Sequence, residues 1–171
     1  MTLRIAILAA VACHAAVGQT AAPDALPAVT VGAGMSWNRG TTSPLAENTS
    51  VALRIKDTSW YSWTMAATAL SPPVKGTGPR LSTITTGAAY VAAQSATGRV
   101  ALVLIVQAGL TATALATSAT FNGNVGVAVR LGKNSAFRVM PYAGGQTGGG
   151  TPVGAFVMQP GVMLLYGFGG K

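Results

Sequence analysis

Charge is what this sequence has least of. Asp, Glu, Lys and Arg make up 8% of its 171 residues, against 50% hydrophobic. A water-soluble domain carries about a quarter charged residues, so much of the outer surface is expected to face something other than water. Acid is scarcest: the carboxylates are Asp24, Glu47 and Asp57. Cys13 and His14 are the only residues of their kinds. The net charge of +8 raises the question of nucleic acid, but Lys and Arg are scattered singly. No basic helix or basic-aromatic run appears, and nucleic-acid binding is not expected.

The first residues have the layout of a secretory signal. Arg4 gives a positive start, "IAILAAVA" a short apolar stretch, and Ala16 and Gly18 the small residues before a cut after Gly18. A cut after Ala22 would leave Pro23 at the new N-terminus, which signal peptidases generally reject. "AVAC" weakly matches a lipoprotein box without its usual Leu, so Cys13 is expected to be removed rather than lipidated. Cleavage takes Cys13, His14 and Arg4 away. Ten Lys and Arg then face three acids, a net charge of +7. The organisation expected is a signal peptide over residues 1–18, an N-terminal leading segment over 19–27 and a β domain over 28–171.

Glycine is plentiful, at 22 residues, and helical periodicity is hard to find. Alternation is common. Val29, Val31, Ala33, Met35 and Trp37 share one parity, and small or polar residues share the other. Val51, Leu53 and Ile55 oppose Ser50, Ala52, Arg54 and Lys56. Val125, Val127, Val129 and Leu131 oppose Asn124, Gly126, Ala128 and Arg130. Tyr61, Trp63 and Met65 oppose Ser62 and Thr64. Strands put successive side chains on opposite faces, so each stretch has a greasy face and a small or polar one. The uncharged run Val100 to Thr120 is long enough for a transmembrane helix. Its β-branched residues, Gly109 and alternating second half favour a strand, bounded by "SATGR" and "FNGN".

The connections alternate too. Long ones are expected at Arg39 to Asn48, Ser71 to Arg80 and Gly144 to Pro152, with a middling one at Ala114 to Thr120. Tight ones fall at "KDT", "SATG" and "GKN". A meander of eight strands whose two ends meet different environments has this pattern. The fold class expected is all-β, an eight-stranded antiparallel up-and-down transmembrane β-barrel. The non-apolar parity is a poor solvated surface but a good filling for a narrow barrel. The apolar parity, with Trp37, Tyr61, Trp63, Tyr90, Phe137, Tyr166 and Phe168 near strand ends, suits lipid and its aromatic girdles.

The chain finishes "VMLLYGFGGK". Val162, Leu164, Tyr166 and Phe168 alternate along one face, a Tyr two positions before a last aromatic. This stretch resembles the C-terminal insertion signal of bacterial outer-membrane β-barrels. The architecture of the whole mature chain is similar to the small eight-stranded OmpX-like and OmpA transmembrane-domain type. The resemblance implies a location in the bacterial outer membrane, with outer-membrane lipid and the barrel-assembly machinery as partners.

With no thiol or imidazole after cleavage, the chain offers no general base of that kind, no thiolate nucleophile and no zinc set. Glu47 is expected in a long loop and Asp57 in a tight turn at the opposite end, too far apart to act as a carboxylate pair. The protein is not expected to be an enzyme or to hold a cofactor or metal. "GGQTGGG" lacks the Lys-Ser/Thr and helix of a phosphate loop and reads as an external loop. Parity turns Arg54, Lys56, Arg130 and Arg138 toward the lumen near one mouth. Buried charges are normally paired, so this basic cluster is expected to reach the mouth, water or an anion. The role expected is structural or surface-interacting, through the extracellular loops; the alternatives are a narrow anion-favouring pore and a soluble secreted lipocalin-like barrel carrying a small apolar ligand. The loop partner is not legible.

Overall fold

The computed structural model describes residues 26–37, 45–56, 58–69, 82–112, 117–133, 135–148 and 156–168. They form strands β1 (Val29–Trp37), β2 (Leu45–Arg54), β3 (Trp60–Ala69), β4 (Ser82–Gln94), β5 (Val100–Ala112), β6 (Thr117–Arg130), β7 (Phe137–Gly148), β8 (Phe156–Met158) and β9 (Gly161–Phe168). Each of the first seven pairs antiparallel with its successor. β8 and β9 both pair with β7. β9 also pairs with β1, which closes the sheet into an eight-stranded barrel. Of the run Val100 to Thr120, weighed above as a possible helix, Val100 to Ala112 is β5 and Thr117 to Thr120 the start of β6.

β8 and β9 are one stave. The register that sets Met158 opposite Gly145 continues, without slip, to Gly161 opposite Tyr142. Between them lies Pro160, which has no N–H to give to a ladder. Its carbonyl still accepts from Trp37 N at 2.8 Å, and Gln159 N donates to Gly144 O at 2.9 Å.

Three tight connections share one end, and side-chain hydroxyls shape each. Thr58 Oγ1 donates to Ile55 O at 2.7 Å and accepts from Trp60 N at 3.1 Å. Ser95 Oγ accepts from the amides of Arg99 and Val100, both at 3.1 Å, beside Gly98 at φ 61°. Ser135 Oγ accepts from Phe137 N at 3.0 Å. At the other end the strands run further than the sequence implied. Leu45 to Asn48 belong to β2, Thr117 to Thr120 to β6 and Gly144 to Gly148 to β7, so the expected loops there are shorter. "FNGN", read as a turn, is strand within β6. Antiparallel pairing across the barrel wall overrides the local turn preference of Asn and Gly. The remainder of those connections, the signal segment, Asp24 and Asp57 lie outside the described residues.

Side chains divide by parity, as expected for most strands. Val29, Val51, Val106, Val125 and Leu164 face outward, and Thr30, Ser50, Gln107, Asn124 and Leu165 face inward. β3 is the exception. Tyr61, Trp63 and Met65 point into the lumen and Ser62 and Thr64 point out, where Thr64 and Thr86 share a hydroxyl hydrogen bond of 3.0 Å. Tyr61 and Trp63 are therefore not part of an outer aromatic girdle. The opposing wall explains this: inward positions on β1 and β6 include Gly32, Gly34 and Gly126, and a narrow lumen walled by glycine needs large residues elsewhere to fill it. Tyr90 does face out, but Trp60 covers it, with ring centroids 4.8 Å apart.

Glycine is also required where strands approach closely. A Cβ on Gly109 would run into the Ile84 carbonyl, and one on Gly87 into the Val106 carbonyl. Gly109→Val is expected to lower stability by about 1–3 kcal/mol. Urea unfolding followed by tryptophan fluorescence measures this, and an unmoved midpoint would contradict the packing described.

Candidate functional site: the lumen and its two ends

The inner wall has two zones. Toward the tight turns it is apolar: Leu26, Tyr61, Val103, Ile105, Met140 and Leu165 belong to one contiguous buried cluster. Toward the opposite end it is polar, with Ser36, Asn48, Thr83, Thr85, Gln107, Thr111, Thr120 and Asn122 all buried. The zones follow from where each strand changes composition. β5, for example, passes from Val103 and Ile105 to Gln107 and Thr111 on one face.

At the turn end the lumen is capped by the residues that lead into β1. Leu26 is fully buried, and its carbonyl accepts from Arg54 Nη2 and from Tyr61 Oη, both at 2.7 Å. Arg54 Nε donates to the same Tyr61 oxygen at 3.0 Å, and its guanidinium carbon lies 5.6 Å from the centre of that ring. A charge-assisted bond to a carbonyl is stronger than a neutral one, so this triangle fixes Leu26 at the turn end of the barrel. Pro27 fits against Gly167, where a Cβ would collide with the proline ring.

The four expected basic residues come from different elements. Arg130 and Arg138 stand directly opposite each other across β6 and β7, both facing inward, and Arg138 is buried. Arg130 Nη1 donates weakly to Lys133 O at 3.4 Å. Arg54 belongs to the Leu26 triangle on a different pair of strands. Lys56 lies past the end of β2, exposed in the turn. The positions of Arg130 and Arg138, directly opposite on neighbouring strands, bring two cations onto one rung of the wall. Glu47, expected in a loop, lies in β2 and faces outward.

The sequence reading missed Leu26 and the inward role of Tyr61. The available signal was the leading segment itself, whose Leu26 sits among small residues and prolines with no strand partner to explain it.

Polar bridges mark the opposite zone. Asn48 Nδ2 donates to Tyr142 Oη at 2.9 Å, tying β2 to β7 across the lumen. Thr83 and Thr111 hydroxyls lie 2.9 Å apart, Thr111 donates to Thr120 at 3.1 Å, and Gln146 Nε2 donates to Thr120 Oγ1 at 3.0 Å. Gln107 Nε2 donates to Trp63 O at 3.1 Å.

The outer face is apolar around most of its circumference. Exposed large hydrophobics include Met35, Leu53, Ile84, Val106, Phe121 and Val162. Val162, Leu164, Tyr166 and Phe168 all point outward from β9, and Phe137, Tyr166 and Phe168 form a chain of edge-on ring contacts at 4.9 and 4.7 Å. Among the described residues no group of His, Cys, Asp and Glu is placed to hold a metal ion. Compared with known protein families, with curated proteins and with solved structures, the chain matches none.

Tyr61→Phe removes the hydroxyl at the centre of the Leu26 triangle. It is expected to cost about 1–3 kcal/mol and to expose the leading segment to protease. Limited proteolysis read by mass spectrometry should find new cleavage near Leu26; an unchanged digest would show that the triangle does not hold this segment.

Proposed function

We propose that the protein is a bacterial outer-membrane β-barrel with a structural or surface-interaction role, acting through the connections at the end opposite its tight turns. The carrying observation is the direction of the greasy face. Val106 is 69% exposed and Ile84 63%, while Gln107 and Thr85 beside them are buried. In water such a belt would be a severe liability. In hydrocarbon it is the natural solvent contact, and closure of the ladder leaves no unpaired edge to desolvate. Phe137, Tyr166 and Phe168, at the turn end of the outer face, suit the interfacial level that aromatic rings prefer.

A lipocalin-like carrier would need the opposite arrangement, an apolar cavity within and polar residues without. A pore has no observation in its favour, because the apolar cluster and the capping Leu26 occupy the turn side of the lumen. The resemblance to the OmpX-like type supports lipid and the barrel-assembly machinery as partners, the latter through Val162, Leu164, Tyr166 and Phe168.

Gel mobility in SDS of the outer-membrane fraction, boiled against unboiled, tests this function. The unboiled protein is expected to migrate differently. Recovery in the soluble periplasm with no shift would overturn the reading. Val106→Arg places a cation near the middle of the belt and is expected to cost about 2–4 kcal/mol of folding free energy in lipid, measured by denaturant titration in vesicles.

A further inference from the structure

The polar zone of the lumen contains more hydrogen-bonding capacity than the described residues use. Asn122 Oδ1, Asn124 Oδ1, Gln107 Oε1, Thr85 Oγ1 and the Trp63 indole nitrogen are buried with no partner among the described residues. Their residues are all at most 5% exposed. Buried polar groups in folded proteins are overwhelmingly hydrogen-bonded, and leaving one unsatisfied costs about 1–3 kcal/mol. Five such groups together would consume most of the stability of an ordinary domain.

Three of these groups share one level of the wall. Trp63 stands opposite Gly87, Gly87 opposite Gln107, and Gln107 opposite Asn122, so one rung of the ladder crosses β3, β4, β5 and β6. On the same face, Thr85 lies two residues from that rung toward the polar end, and Asn124 two residues from it toward the tight turns, level with Ile105. The Gln107 amide is oriented by its donation to Trp63 O, which leaves Oε1 as its unused end. Asn124 lies over Gly144, where a Cβ would strike its Oδ1. On one side the apolar cluster forms a dry floor. On the other, Thr120 accepts from both Thr111 and Gln146 and has its own proton left to give.

We propose that this zone is a binding compartment for small uncharged hydroxyl compounds, held by Gln107, Asn122, Asn124, Thr85 and the Trp63 indole. The unused set is four oxygens, one of them also a donor, and one N–H. Such a set asks for a molecule that donates several hydrogen bonds and accepts at least one, which describes water and small polyols. An anion would meet the oxygens as repulsive neighbours. A cation would lose its hydration with no carboxylate among the described lumen residues to compensate. The compartment depends only on the inward face, so it stands or falls independently of the solvent outside the barrel.

The test uses the full mature barrel refolded in detergent, with nitrogen-15 labelling. Magnetisation transfer from water to the Trp63 indole proton and to the Gln107, Asn122 and Asn124 side-chain amides is measured with and without glycerol. Transfer of the sign given by long-lived bound molecules is expected at these protons. If glycerol signals replace those of water, the natural occupant is a polyol; if water persists, it is water. Absence of any long-lived transfer in both samples overturns the proposal. In Asn122→Leu, transfer at Trp63 and Gln107 is expected to be lost, and its full retention would also overturn it.

Discussion

Eight register pairs join β1 to β9, from Val29 opposite Phe168 to Ser36 opposite Gly161, and they turn an open sheet into a cylinder. Without them both strands would present a row of unpaired amides and carbonyls. With them, every other feature acquires its meaning. There is an inside, so Gly32 and Gly126 can be filled against by Leu165 and Met140 from neighbouring strands. There is an outside, so Val29 and Tyr166 form part of a continuous belt.

The inside is organised by volume first and polarity second. Eight strands leave an interior that side chains fill, with room for one small ligand at most. The turn side takes Tyr61, Met140 and Leu165 and becomes a dry core sealed by Leu26. The other side takes amides and hydroxyls, whose bonds run across the lumen, as from Asn48 to Tyr142. One chain thus builds a hydrophobic core and a polar interior end to end inside a single wall.

Alternation made the strands, their number and the sense of most faces legible, because a period of two is a direct projection of pleated geometry. β3 shows the limit. Its pattern of Tyr61, Trp63 and Met65 against Ser62 and Thr64 defines two faces, but which one points inward depends on the glycines of strands far away in sequence. Strand ends were misplaced for a related reason: Asn122 and Gly123 favour turns locally, and pairing with Gln107 and Val106 on one side and with Gln146 and Gly145 on the other holds them extended. The strand neighbours of the basic residues were not readable. Arg54 belongs with Leu26 and Tyr61, and Arg130 with Arg138, because neighbourhood in a barrel is set by register.

The closing pair also bears on the order of events in folding. Val31 meets Tyr166, a residue 135 positions further on. Loop-closure entropy must be overcome before such a contact returns anything, and folds rich in distant pairings form slowly. The first strand therefore waits for the last. Until the final stave has emerged, Val29 to Trp37 has only β2 beside it, and a chain this greasy would be prone to aggregate. A protein built this way depends on being kept apart from its own copies until its last residues arrive.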